Sequence, residues 1–516
     1  MPFGLPVRIR IRMDYLPSWP LGIRIASQCI FGSFTTYLIL GFSTLAEPLE
    51  RMYNESIYYH YGVVLDRQSF AYIVGMISAA KIIGSMFSLM ALYPLMDTLG
   101  RRVMALHFPC LLGGVIGAAC QILSKVLLSV ELFFLGELFI GAAFPLMNYA
   151  SIMYLSECAP NRIRGATALI LGTSGITAWI GMSVLAKPHV FGSFENWHYI
   201  PLISAIMAVI HFAICVMFPE SPKYLFYQGK IAEASRAIKI FHGPDVKVEE
   251  ILEQYGREHH HPLEEQATLW KVWQDTEYRE ALLIVLLFDL TNQLSPNNID
   301  VNYHVAIRKK LGYNVDEIMF QRILISGSLF PLNFVAAYAV ERFGRRFITA
   351  FCGVALFIQV LFLASGQVLY DLGQIGLLSK ITGTAVNLLG NLVSNSGFGN
   401  MTYLMMAELC VPSIRTAVAQ TAALVAMVGQ MVVFSTYPPL INSIGAWYYA
   451  ITGFFVVTLF TAILRRLPET RRLSVNAIID NLEQVVRSRA NTYQIRSRAH
   501  TEQDPLLGRR NTGDYY

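Results

Sequence analysis

From residue 22 to residue 465 the chain is a succession of apolar runs, each about 20 residues long and joined by short polar connections. They fall at roughly 22–44, 70–94, 103–125, 131–154, 166–187, 199–217, 280–303, 320–340, 347–369, 376–406, 416–437 and 446–465. Wound as an α-helix, such a run matches the hydrocarbon thickness of a bilayer; it is far too long for a barrel strand. In hydrocarbon each backbone amide must be satisfied within its own segment, so helix is the only spanning element open to these runs. With 54% hydrophobic and only 15% charged residues, the chain has too little charge to solvate that apolar surface in water. The expected fold is an all-α membrane protein of twelve transmembrane helices in two six-helix bundles.

The expected organisation is a cytoplasmic N-terminus (1–21), a first bundle (22–218), a cytoplasmic helical insert (219–279), a second bundle (280–466) and a cytoplasmic tail (467–516). The first run follows Arg8, Arg10 and Arg12, but it is too long for a signal-peptide core and lacks a small-residue cleavage site, so it should remain as a span. Arginines gather in alternate connections: Arg101/Arg102, Arg162/Arg164, Arg342/Arg345/Arg346, Arg415 and Arg465/Arg466. By the positive-inside rule those connections, the insert and both termini are cytoplasmic. The connection after the first run is then outside, and it holds the glycosylation sequon Asn54-Glu55-Ser56. The seven cysteines fall in or beside the apolar runs as small core residues. His259-His260-His261 cannot converge on one ion from a regular helix, so a solvated loop is expected there and no metal or other cofactor. No phosphate-binding glycine loop or catalytic triad occurs, so neither an enzyme nor a nucleic-acid binder is expected.

Three connections repeat six runs later. DTLGRR (97–102) returns as ERFGRR (341–346), SECAPNRIR (156–164) as AELCVPSIR (407–415), and PES (219–221) as PET (468–470). A duplicated six-helix unit follows from repeats in register. Gly100 and Gly344 allow tight turns, and Glu157 and Glu408 can accept bonds from Arg101, Arg102, Arg345 or Arg346. Together with Asp97, Arg164, Glu341 and Arg415 these groups are the candidate inner gate. In these motifs the chain resembles the sugar porters of the major facilitator superfamily, in pattern the facilitative glucose transporters. The resemblance implies the major facilitator fold and alternating access about a central site.

The resemblance also implies where a solute would sit. The stretch DLTNQLSPNNIDVNYH (289–304) stands where sugar porters carry amides that bind sugar hydroxyls, and it aligns Asn292, Gln293, Ser295 and Asn298 with them. Pro296 should break the helix and free carbonyls toward a watery cavity. In the tenth run Gly383, Asn387, Asn391, Asn395 and Gly399 recur every fourth residue, forming one polar stripe. Asn391, Asn395 and Tyr403 complete the candidate binding set; interhelical bonding is the alternative use of such amides. Gly172 and Leu329 stand where the family has a binding glutamine and a binding asparagine, so ordinary glucose transport is not implied.

Charges within the runs need partners or a cavity. Lys81, Glu137, Asp289 and Asp300 are the candidates: Lys81 pairs with Glu137 or, as a second candidate partner, Asp289, and the alternative reading makes Lys81 or Asp289 a selector of a charged or zwitterionic solute. In the sugar porters that the chain resembles, proton coupling generally uses an acid in the first run; here that run has no acid before Glu47, so the resemblance implies uniport rather than proton coupling. The expected function is facilitated diffusion of a small polar solute, sugar-like; a non-transporting receptor or a proton-coupled carrier of a charged solute are the alternatives. Beyond solute and lipid bilayer, the tail carries Glu502 ahead of Leu506-Leu507, which resembles the acidic dileucine signal read by clathrin adaptors. Residence at the plasma membrane, in endosomes or lysosomes, or both, would follow.

Overall fold

The computed structural model describes residues 18–33, 35, 44–160, 163–244, 246–260, 269–410 and 412–467. Helices stand at all twelve expected positions and, among the described residues, no strand occurs. Spans 1 to 6 are Trp19–Ser27 (continuing as Gln28–Gly32), Arg67–Leu99, Val103–Val126, Val130–Cys158, Arg164–Leu185 and Tyr199–Val216. Spans 7 to 12 are Thr276–Gln293 with Pro296–Asn302, Val315–Leu329 with Leu332–Phe343, Arg345–Asp371, Leu377–Asn395 with Phe398–Leu409, Pro412–Ile444 and Trp447–Arg466. Seven of these (2, 3, 4, 6, 9, 11 and 12) are continuous and apolar enough to cross a membrane unaided. Spans 7, 8 and 10 are each broken in two.

The breaks have local causes. Pro296 lacks an N–H and sits at the first helical position after Ser295, whose hydroxyl caps the new start by accepting from Asn298 N at 3.2 Å. Span 10 turns at Gly397, with φ +82, a conformation a side chain would strain. The expected unbroken stripe of span 10 therefore ends at Asn395, and Gly399 belongs to the next helix.

The connection after span 1, expected as a loop, is the helix Ala46–Tyr61. Leu49, Met52, Tyr53 and Ile57 recur at helical spacing and are buried, with Tyr53 edge-on to Phe133 of span 4 at 5.5 Å. The insert folds as Pro222–Tyr227, Ile231–His242, Val248–His260 and Leu269–Gln274, so His259 and His260 close a helix instead of lying in a loop. Phe241 of the insert stacks on Phe218 below span 6.

The end of the molecule carrying the Gly-Arg-Arg turns is called the basic end. At the opposite end one buried apolar cluster runs from the first bundle into the second, through Leu45, Tyr53, Ile77 and Trp197 to Val305, Leu311, Tyr313 and Met319. Polar contacts cross there too. Gln68 donates to the carbonyl of Pro439, Lys309 pairs with Glu47 at 3.0 Å, and Arg322 lies over the Trp179 ring at 4.7 Å. At the basic end the buried cluster around Met104, Tyr154 and Phe218 is made of first-bundle residues and Phe241 of the insert. Among the described residues, the bundles are thus joined at the end remote from the arginine turns and, through Ile82 in the middle of span 2, at mid-depth.

Candidate functional site

The break in span 7 organises a ladder of amides. Asn298 Nδ2 donates to the backbone carbonyl of Gln293 at 3.0 Å and to Gln293 Oε1 at 3.3 Å. Asn302 Nδ2 in turn reaches Asn298 O at 2.9 Å, and Lys81 Nζ of span 2 reaches Asn302 Oδ1 at 3.4 Å, crossing between bundles. From the sequence, the carbonyls freed by Pro296 should face a watery cavity; in the structure local side chains take them up instead. Ser295 Oγ satisfies Asn292 O at 2.8 Å and Asn298 satisfies Gln293 O, because short polar side chains just past a helix end reach its last carbonyls. Ser295 is buried and its hydroxyl is occupied in the cap. The groups left over are side-chain amides. Among the described residues, Gln293 Nε2 and both side-chain polar atoms of Asn292 have no protein partner, and both residues are half-buried in mid-span.

Span 10 uses its amides differently. Asn391 Nδ2 bonds Asn387 O at 2.9 Å and its Oδ1 accepts from Ser326 of span 8 at 2.9 Å. Asn395 donates to Asn391 O at 2.7 Å and accepts from Asn333, also of span 8. Asn297 Nδ2 reaches Ser394 at 2.9 Å, tying span 7 to span 10. This is a seam of interhelical bonds, and it brings Asn391 and Asn395 near the span 7 break with most of their capacity used. The side chain of Tyr403 lies outside the described residues.

The intramembrane charges separate into two groups. Lys81 and Glu137 line one cavity of about 150 Å³ together with Glu50, Tyr53, Ser78, Asn302 and Tyr303, its walls completed by Ala46, Leu49, Phe70, Val74, Ile77, Phe133 and Ala306. They form no ion pair within 4.0 Å, so the expected direct pairing is not made. Glu137 Oε1 instead accepts from Gln121 Nε2 at 3.0 Å. Asp300 is buried against Arg308, which grips both carboxylate oxygens and is itself fully buried. Asp289 lies against the hydroxyl of Thr402. Arg308 was not singled out from the sequence, although a cation eight residues after an intramembrane acid was a readable signal.

At the basic end the arginine turns are built alike in both halves. Arg101 contacts Glu157 at 3.6 Å and Asp97 at 3.0 Å; Arg345 contacts Glu408 at 2.6 Å. Arg102 donates to Phe218 O at 2.7 Å, and Arg346 to Leu464 O at 2.9 Å. Glu220, unassigned in the sequence reading though part of a repeated motif, accepts from Arg102 N at 2.8 Å and Ser221 N at 2.9 Å. Burial raises the Glu220 carboxyl above its ordinary value against these donors. These contacts lie within a bundle, not between bundles. The side chains of Arg164, Glu341 and Arg415, and all of Glu502, Leu506 and Leu507, lie outside the described residues. Asn54 is exposed on its helix and bonds only Glu50 O.

A family model described as "Sugar (and other) transporter" matches residues 26–481. Among curated relatives, facilitated glucose transporter member 2 of Gallus gallus is 23% identical over 327 residues, 63% of this chain and 60% of that one. The facilitated trehalose transporter Tret1 of Apis mellifera ligustica is 25% identical over 416 residues, 77% of this chain and 78% of that one. The chain spans about three-fifths of the length of the member 2 relatives it matches. The inward open conformation of the xylose transporter XylE from E. coli superposes with a TM-score of 0.67 at 16% identity, covering 89% of this chain and 99% of that chain.

Proposed function

The chain belongs to the sugar (and other) transporter family, a multi-pass membrane family, and we propose that it carries a sugar or sugar-like solute by facilitated diffusion. The observation that carries this reading is the pair of unspent amides at the span 7 break. Asn292 and Gln293 hold donors and acceptors without partners among the described residues at mid-span, beside a second broken helix. A hydroxylated solute offers what such groups need, and a half-buried amide left unmatched has a free-energy cost. Asn298 positions Gln293, Ser295 caps the break, and Asn391 and Asn395 hold span 10 against it. Glucose, trehalose and xylose transport are named for relatives of this chain and set the substrate class to try first.

The basic end is assigned to the cytoplasm, which makes the structure inward-facing, with the outer ends of the bundles closed on each other. The exposed Asn54 then lies outside and is available for glycosylation. The tail residues Glu502, Leu506 and Leu507 would route the protein through clathrin adaptors between the surface and endolysosomes. A solute receptor that moves little is the second reading, favoured by the span 10 seam that consumes amides which would otherwise face the solute. Counterflow in proteoliposomes with hexoses, pentoses, disaccharides and polyols tests the choice. A carrier accumulates labelled sugar transiently against a preloaded one; saturable binding without counterflow identifies a receptor.

A further inference from the structure

Besides the exposed Glu50, the cavity between spans 2, 4 and 7 and the helix Ala46–Tyr61 is lined by two opposite charges, Lys81 and Glu137, that make no direct contact with each other. Glu137, 5% exposed, spends one carboxylate oxygen on Gln121 Nε2, and its other oxygen has no partner among the described residues. Lys81 makes a single long bond, 3.4 Å to Asn302, and sits 5.7 Å from the Phe434 ring centre. Both line the cavity, yet no ammonium–carboxylate contact within 4.0 Å joins them. Opposite charges surrounded by Phe70, Val74 and Phe133 attract strongly, so holding them apart is unfavourable unless something stands between. A neutral sugar leaves both charges underused. A bare anion or cation satisfies one and repels the other.

We propose that this cavity is a binding site for a small zwitterion, an amino acid in the broad sense, distinct from the amide site at the span 7 break. Its carboxylate takes Lys81 Nζ and its ammonium takes the free oxygen of Glu137. At about 150 Å³ the space matches a cavity that holds benzene, whereas a hexose has about twice that number of heavy atoms. Apolar walls exclude water and strengthen both charge contacts. Because Asn302 holds Lys81 and belongs to the same ladder as Gln293, an occupant that draws Lys81 away loosens a contact between bundles.

Calorimetric binding to the full-length purified chain in nanodiscs tests this, with glycine, β-alanine, γ-aminobutyrate, acetate, methylammonium and D-glucose as probes. One or more zwitterions should bind saturably, at least tenfold tighter than acetate or methylammonium. Lys81→Met should remove that preference and leave methylammonium the equal of the zwitterion; Glu137→Gln should do the same for acetate. If no zwitterion binds the unaltered chain, the proposal is overturned without recourse to any variant. It is equally overturned if both variants keep the unaltered order of probes, or if glucose displaces the zwitterion competitively. Sugar flux is not part of this readout, so failure here leaves the transporter reading standing.

Discussion

Replacing Gln293 by Leu removes an amide from the span 7 break while keeping most of the side chain's bulk. Gln293 Oε1 accepts one long bond, 3.3 Å, from Asn298 Nδ2, and that same nitrogen bonds the Gln293 backbone carbonyl at 3.0 Å. The backbone bond survives the substitution, so the break keeps its geometry and the folding cost stays below about 1 kcal/mol. What disappears is the pair of N–H donors and the spare acceptor capacity that the protein leaves unspent. Two neutral hydrogen bonds to solute hydroxyls, at about 0.5–1.5 kcal/mol each, sum to about 1–3 kcal/mol, a factor of roughly 5–150 in kcat/KM. Equilibrium exchange of labelled sugar in proteoliposomes, normalised to incorporated protein, measures it. The expected result is a fall within that range with an unchanged melting temperature in detergent, and Gln293→Asn intermediate. Exchange kept within about twofold by the Leu variant would refute the assignment of span 7 amides to the solute.

Four further outcomes follow from the same geometry. Asp300→Asn leaves the fully buried Arg308 without its carboxylate and should destabilise by about 3–5 kcal/mol, read as a lower melting temperature, while Asp300→Asn with Arg308→Met recovers part of the loss. Gly100→Ala introduces a Cβ at φ +99 and 2.5 Å from Glu220 Oε2, so about 1–3 kcal/mol of stability should be lost and the folded yield in detergent should drop. Arg322→Leu deletes the cation–aromatic contact to Trp179 across the bundles, worth about 0.5–2 kcal/mol; labelling of a cysteine placed at the buried Val305 should then rise roughly 2- to 30-fold. Burial pushes Lys310, beyond the end of span 7, down to about 8. The unfolded chain therefore binds the extra proton between about pH 8 and 10.4, and stability should rise with pH across that window. Lys310→Met should flatten that rise in melting temperature and raise stability at neutral pH.

The span count was legible because run length and hydropathy are local properties, and the two-bundle plan because three connections repeat in register. The break at Pro296 was readable for the same reason: a missing N–H acts where it stands. Less legible were features set by what packs against what. The connection holding Asn54-Glu55-Ser56 read as a loop, yet Leu49, Met52, Tyr53 and Ile57 repeat with helical period and bury a face, with Tyr53 against Phe133 of span 4. Asn391 and Asn395 read as solute ligands, and only the position of Ser326 and Asn333 on span 8 shows their amides engaged. Lys81 and Glu137 read as a pair by charge alone; the cavity between them is a property of four separate elements, and no periodicity in any one of them encodes it.

The placement of strong and weak contacts bears directly on how such a fold can alternate. Arg101 with Glu157, and Arg345 with Glu408, are largely buried pairs inside single bundles, and breaking either leaves a charge stranded in low dielectric. The pairs that join the bundles are of another kind. Lys309 with Glu47 and His189 with Asp316 are substantially exposed, and exposed pairs contribute about 0–1 kcal/mol each. Gln68 and Arg322 add a few neutral or aromatic contacts at the same end. Buried ion pairs are thus concentrated within each six-helix unit, while the units meet mainly through apolar surface, from Leu45 and Tyr53 to Val305 and Met319 and at Ile82 of span 2. Each unit can move as a body, and parting them costs the exposure of that surface as well as these weak pairs. A ligand that binds between bundles needs only a comparable difference in affinity for the open and closed arrangements to shift that equilibrium. The buried arginine pairs thus lie inside single bundles, whereas Lys81 bonds Asn302 across the contact between them.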